Sequence, residues 1–345
     1  RSRMSDAKPP LTAALPWRVI ALVLACFGLV VGALMVAGVV PAEALGKMFG
    51  DALFTPAGLR NTFRESTPLL ILGVAVFLAL RAGLFNIGAD GQFVMGACAG
   101  AAAVLAVPGP AGIALGIVMG PLAGALWAWP AGAIKAYRGG HEVITTIMLN
   151  NIAFFLTTFL AKGIMRDPGQ QSPTTARLEP SSTLPNLLVD GPFRLNIALF
   201  IGLATVPILA WWLKRTIGGY ELQATGGNPR AAETAGIEVK KVTLRAMVAS
   251  GALAGLAGVV QVMAYDNRFY AGFSPGYGFD ALGVALLAGP TALALIPSAL
   301  LFGVLSAGTT AVGLMGVPKA LSGILLGCLI LVVAAVRYRR ESHGD

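Results

Sequence analysis

The apolar runs of this chain limit what it can fold into before any other feature is weighed. Trp17–Val40 holds an apolar run of about 24 residues, enough to span roughly 30 Å of hydrocarbon. Further runs follow at Pro68–Phe85, Gln92–Val107, Ala111–Ala133, Val143–Leu160, Ile197–Leu213, Val242–Ala264, Ala281–Ala288, Ala292–Val312 and Leu321–Val336. Backbone groups in lipid must be satisfied within the segment, so the expected fold is all-α: a polytopic membrane bundle of about ten transmembrane helices. The eighth run, ended by Gly289-Pro290, is too short to cross alone; it is a half-helix or it continues through the proline. Composition agrees, with 56% hydrophobic and 12% charged residues against about 25% charged in soluble domains.

The first run has a rival reading as a secretory signal, with Ala42-Glu43-Ala44 as the cleavage site. Signal cores run about 7–15 residues, so Trp17–Val40 is read as a retained helix. Basic residues set the orientation. Of 25 Lys and Arg, 16 fall on the side holding residues 1–16, the loop at about 214–241 and the tail 339–345, whereas the acids divide evenly between the sides. Both tails and that loop are therefore expected in the cytoplasm, around a transmembrane region 17–338. A long loop at about 162–195, rich in proline, is expected on the opposite, outer face. The net charge of +9 reads as membrane orientation, and nucleic acid is not expected as a partner.

Soluble-enzyme chemistry finds little to work with. Cys26, Cys98 and Cys328 are scattered through apolar runs without ligand or disulfide spacing. His141 and His343 are the only histidines, which leaves no His-based metal centre or triad, and no Gly-x4-Gly-Lys-Ser/Thr loop is present to cradle ATP.

Polar residues inside the lipid zone stand out instead. Leu84–Phe93 places Asn86, Asp90 and Gln92 among glycines between two apolar runs. An acid at membrane depth marks a functional site by default; the other reading is an ordinary turn between the second and third helices. On the fifth span Glu142, Thr146 and Asn150 are four apart and share one face, with Asn151 and Thr157 close by. Such a stripe either lines a pore or bonds helices together. A faint internal repeat relates Phe85, Gly88, Gly91 and Gly96 to Phe273, Gly276, Gly278 and Gly283, as two inverted five-helix halves would.

Leu222–Ile237 is polar and rich in small residues, and is bracketed by Lys214, Arg215, Lys240, Lys241 and Arg245. A helix is expected after Asn228-Pro229, with Asn228 as N-cap and Pro229 in the first turn. It would run through Arg230, Ala231, Ala232, Glu233, Thr234 and Ala235 to Gly236, with Gly226 and Gly227 letting the chain enter sharply. This stretch resembles the loop that docks on the ATPase in permease subunits of bacterial ABC importers of the ribose, branched-chain amino acid and nucleoside branch. The Phe85-Asn-Ile-Gly-x-x-Gly-Gln92 segment and the run Glu142–Asn150 resemble two further motifs of that family, and the likeness extends from about Arg60 to Arg337.

The resemblance implies a transport subunit rather than an enzyme, set in a bacterial inner membrane and surrounded by lipid. It forms the path for a small polar solute, most like a nucleoside, with ribose, another simple sugar or a branched-chain amino acid as alternatives. Asn86, Asp90 and Gln92 would border the path. No cofactor is implied for this chain: ATP and magnesium belong to a separate cytoplasmic ATPase. The implied partners are that ATPase, a second and different permease subunit, and a periplasmic or lipoprotein substrate-binding protein. A competing class, an ion-coupled secondary transporter, would have Asp90 and Glu142 as its candidate carboxylates.

Overall fold

Prolines and side-chain caps cut the apolar runs into helices. The computed structural model of the protein describes residues 17–36, 38–313, 324, 327 and 328. The helices are α1 (Trp17–Val36), α2 (Pro41–Phe54), α3 (Pro56–Arg81), α4 (Ala89–Ala106), α5 (Pro110–Arg138), α6 (Glu142–Lys162), α7 (Ile197–Arg215), α8 (Ile217–Gly227), α9 (Pro229–Thr234), α10 (Val239–Gln261), α11 (Tyr277–Ala288) and α12 (Leu295–Gly313). Proline begins α2, α3, α5 and α9, where its missing N–H costs nothing. Thr55, Asn196, Thr216 and Asn228 accept backbone N–H groups at the starts of α3, α7, α8 and α9. A wide π turn, Val262–Asp266, prolongs α10.

Helices α3, α4 and α10 form the interior, and small residues let them and α5 approach closely. Gly112, Gly116, Gly120 and Gly124 recur every four residues on the buried face of α5. A Cβ on Gly124 would strike the Gly251 carbonyl, and one on Gly255 would strike that of Gly120, so α5 and α10 touch backbone to backbone. Where lipid is as apolar as leucine, this contact supplies the dispersion energy that drives helix association. The opposite faces of α5, α6 and α7 expose Val118, Leu126, Phe155, Phe159, Ile208 and Trp211. Such a belt is costly in water and costs nothing in hydrocarbon.

Among the described residues seven helices are long and apolar enough to cross a membrane. Helices α1 and α2 meet at 104° and make an eighth if counted as one broken span. A count of ten is not confirmed. The eighth apolar run is α11, at 12 residues a partial helix. The tenth run, apart from residues 324, 327 and 328, lies outside the described residues, as do the two terminal tails. The second run begins earlier than expected, at Pro56 rather than Pro68, because its charged first turns find partners. Arg64 pairs with Asp266, and Glu65 accepts from Tyr277 Oη and Ser306 Oγ, both at 2.9 Å.

The long loop after α6 is ordered by packing. Its Thr175 and Leu178 N–H groups donate to the carbonyls of Phe269 and Asn267, and Leu184 N–H donates to Met263 O. It ends in a hairpin of β1 (Asn186–Asp190) and β2 (Phe193–Asn196), a small exception to the all-α expectation.

Candidate coupling surface and polar network

Two helices begin inside the bundle, and both begin on glycine. Gly88 is the N-cap residue of α4 and Gly276 that of α11, so neither can cap its helix with a side chain of its own. The caps come from elsewhere. Asn150 on α6 accepts from Gly91 N–H of α4 at 2.9 Å, while its Nδ2 donates to Ile87 O at 2.9 Å. Asp90, in the first turn of α4, accepts at Oδ1 from Gly278 N–H of α11 at 2.9 Å and from Ser274 Oγ at 2.6 Å. A carboxylate suits the partial positive charge at a helix start. The Ser274 hydroxyl oxygen in turn accepts from Gly276 and Tyr277 N–H.

Asn86 and Gln92 close the other side of the α3–α4 turn. Their amides exchange two hydrogen bonds, 2.8 and 3.1 Å, and Asn86 Nδ2 also donates to Ser250 Oγ on α10. Ser250 then donates to Ala75 O on α3 at 2.7 Å. Asn86, Asp90, Gln92, Thr146 and Asn150 are each at most 4% exposed, and Glu142 is 6% exposed, so all six lie between helices of this chain.

Thr146 bonds back to Glu142 O and packs where a Cβ on Gly88 would lie 2.9 Å from its own Cβ. Glu142 forms an ion pair of 2.8 Å with Lys135 across the α5–α6 turn. The structure thus joins five of the six into one cluster around the start of α4, with Glu142 at its edge. Thr157 bonds only within α6, to Ala153 O and Phe154 O, and Asn151 is exposed.

The two glycine-rich segments matched within the sequence also meet here. Phe93 stacks on Phe273 with centroids 5.6 Å apart, and a Cβ on Gly278 would collide with the Asp90 backbone. Sequence reasoning missed Ser250, Ser274 and Glu65. The visible signal for Ser250 was a hydroxyl inside an apolar run; Ser274 and Glu65 lay outside the runs and looked like loop residues.

The stretch 222–237 is a helix, a sharp corner and a short second helix. Helix α9 starts where expected, with Asn228 Oδ1 accepting Ala231 N–H at 3.1 Å, and ends at Thr234, before Ala235 and the left-handed Gly236. Arg230, Ala231, Glu233, Thr234, Ala235 and Gly236 are exposed, whereas Ala232 is turned inward at 3% exposure. Gly226 and Gly227, expected to let the chain enter sharply, are the last two residues of α8, just before the corner. Gly226 also permits close approach: a Cβ there would strike the Arg81 carbonyl, and Gly83 with φ +73° lies against the Gly226 backbone. Gln223 fastens the same corner, accepting from the Arg81 guanidinium and donating to Leu213 O, both at 2.8 Å. The exposed surface of α9 therefore sits on α8, and α8 on the α3–α4 turn that carries the buried network.

Broken helices capped across the bundle, lipid-facing apolar helices and a small surface helix between basic flanks define a polytopic helical membrane protein. Residues 58–334 match the family described as "Branched-chain amino acid transport system / permease component". The chain belongs to this family, and is a permease subunit of an ABC transporter.

Among its relatives is a glucose ABC transporter permease protein of Haloferax volcanii, 34% identical, with 90% of this chain and 85% of the relative covered. A guanosine ABC transporter permease protein of Bacillus subtilis is 33% identical over 84% and 83% of the two chains. A nucleoside ABC transporter permease protein of Lactococcus lactis is 32% identical over 89% and 88%. Transporters of this family work with ATPase and substrate-binding partners, and the chain is a multi-pass membrane protein.

Proposed function

We propose that this chain is the permease subunit of an ATP-driven nucleoside importer in a bacterial cytoplasmic membrane. It would pair with a second, different permease subunit, with cytoplasmic ATPases that bind ATP and magnesium, and with a periplasmic or lipoprotein binding protein. The observation that carries the reading is the continuous packing from the exposed face of α9, through Gly226 and Gly83, to the Asn86–Gln92–Ser250 and Asn150 contacts. Lys214, Arg215, Lys240, Lys241 and Arg245 flank this surface, which supports a cytoplasmic position for it. The guanosine and nucleoside relatives support the solute; the glucose relative, at similar identity, supports a sugar as the second reading.

In this proposal Gly226, Gly227, Asn228, Pro229 and the residues through Gly236 are the ATPase-coupling segment, with Arg230, Ala231, Glu233 and Thr234 making the contact. Asn86, Asp90, Gln92, Glu142, Thr146 and Asn150 act on the solute pathway by fixing where α4 and α11 begin. Every one of them is buried and bonded within the chain, which supports shaping rather than direct contact.

Proteoliposomes holding this chain with its partner subunits test the proposal. Radiolabelled guanosine should enter with ATP and be displaced by other nucleosides and not by glucose; displacement by glucose alone would establish the sugar reading. Ala231→Trp, on the exposed face of α9, should lower ATPase binding and uptake together. Ala232→Trp should instead destabilise the chain, because that side chain points inward. Full uptake by Ala231→Trp, or uptake without any ATPase, would sink the coupling role of α9.

A further inference from the structure

Beside α8, where α3 and α7 end and the chain turns from α11 toward α12, lies a cavity of about 140 Å³. Arg81 of α3, Lys214 of α7, Gln223 of α8 and Thr291 of the turn form its polar lining, and Phe77 and Leu293 its apolar wall.

Both cations of this cavity lack an acid. No carboxylate lines it, and among the described residues none forms an ion pair with Arg81 or Lys214. Arg81 is held in place all the same. Its Nη2 donates to Gln223 Oε1 at 2.8 Å, and the guanidinium carbon lies 5.9 Å from the centre of the Phe77 ring. The fork is thus fixed in direction while its other nitrogens find no acceptor among the described residues. Thr291 adds an exposed residue with a free hydroxyl. A guanidinium, an ammonium and a hydroxyl around one small cavity match the oxygens of a phosphate group.

The surroundings say which molecule carries that phosphate. Helix α7 puts Ala210, Leu213 and Lys214 on the cavity and exposes Ile208 and Trp211 beside it. Leu293 is also exposed, so the apolar surface that faces hydrocarbon reaches the mouth of the cavity. Trp211 and Tyr220 are 61% and 66% exposed, as amphipathic aromatic residues are at the level of lipid headgroups. Free phosphate would use the charges and leave the apolar surface unused, whereas a phospholipid uses both. Basic pockets between membrane helices on the cytoplasmic side suit anionic headgroups for this reason.

We propose that the cavity binds the phosphate of an anionic phospholipid from the cytoplasmic leaflet, with Arg81 and Lys214 as its ligands and the acyl chains lying along α7 past Trp211. Arg81 also holds Gln223, and Gln223 donates to Leu213 O at 2.8 Å. A bound lipid therefore steadies the corner on which α8 carries α9, and anionic lipid strengthens the coupling of ATP hydrolysis to uptake.

The complete transporter in a neutral detergent is titrated with dioctanoylphosphatidylglycerol while its melting temperature is followed. The wild type should be stabilised, and far less by dioctanoylphosphatidylcholine. The Lys214 side chain makes no hydrogen bond or ion pair among the described residues, so its charge can be removed without disturbing the fold. Lys214→Gln should bind phosphatidylglycerol about fivefold more weakly, as the loss of one cation at a headgroup implies, and Lys214→Glu should abolish the shift. Lys240→Gln, exposed on the same side but outside the cavity lining, should bind as the wild type does. Equal weakening by Lys214→Gln and Lys240→Gln would overturn the proposal, because the basic surface as a whole would then be the attractor. Equal stabilisation by the two lipids would overturn it too, as would full stabilisation by inorganic phosphate alone, the mark of a small-anion site. ATP-driven uptake is then compared in vesicles of phosphatidylcholine with and without phosphatidylglycerol. The wild type should gain from the anionic lipid and Lys214→Gln should gain less; equal gains would refute the effect on coupling. Absence of uptake in every lipid would instead count against the importer reading, which the binding measurement does not need.

Discussion

Removing the Asp90 carboxylate should cost stability before it costs anything else. Oδ1 accepts two hydrogen bonds at a residue 2% exposed, one from Ser274 and one from the first turn of α11. Hydrogen bonds to a charged group contribute about 1.5–3 kcal/mol each. Asp90→Ala leaves the buried Gly278 N–H without an acceptor, while the Ser274 hydroxyl can turn elsewhere, so the expected loss is about 3–5 kcal/mol. Asp90→Asn keeps the accepting oxygen and gives up the charge, for about 1–2 kcal/mol. Ser274→Ala should lose less when Asp90 is already alanine, with a coupling of about 1–2 kcal/mol in the double-mutant cycle. Unfolding by SDS titration in mixed micelles measures these losses, with uptake in proteoliposomes measured in parallel. If Asp90→Ala unfolds within about 1 kcal/mol of wild type yet abolishes uptake, the carboxylate meets the solute and the capping argument is wrong.

Substitutions at three further positions separate geometry from chemistry. Asn150→Asp keeps an acceptor for Gly91 N–H but turns a second oxygen toward Ile87 O; it should destabilise by about 2 kcal/mol and by more than Asn150→Ala does, read from the same titration. Gly226→Ala must push the Arg81–Gly83 backbone aside, for about 1–3 kcal/mol and a fall in ATP-driven uptake. Gly227→Ala meets nothing within 4 Å and should be neutral or slightly stabilising, and equal effects at the two positions would show that the close approach is unimportant.

Helix positions were legible because hydropathy and length act locally. The runs Ala111–Ala133, Ile197–Leu213 and Val242–Ala264 fall on α5, α7 and α10 to within a few residues at each end. The start of α3 was not legible. Arg64 and Glu65 look like loop residues until Asp266, Tyr277 and Ser306, far along the chain, supply their partners. Helix α8 was missed for a related reason: Gly218, Gly219, Gly226 and Gly227 lower its propensity, and the Gln223 bonds and the contact with the α3–α4 turn make up for it.

The polar residues could be picked out as a set, but their arrangement could not, since Asn86, Asp90 and Asn150 each bond to a helix elsewhere in the chain. The local clue was the glycine at the head of each broken helix. A helix that starts on Gly88 or Gly276 has no cap of its own, so another element must bring one. Here Asn150 brings it to α4, and α4 brings Asp90 to α11. The arrangement also constrains any transport motion. Parting α6 from α4, or α4 from α11, uncovers Gly91 or Gly278 N–H inside the bundle, and a buried N–H without an acceptor costs about 1–3 kcal/mol. A motion that separates these helices therefore needs replacement acceptors at those two positions, which water or the oxygens of a hydroxylated solute can supply.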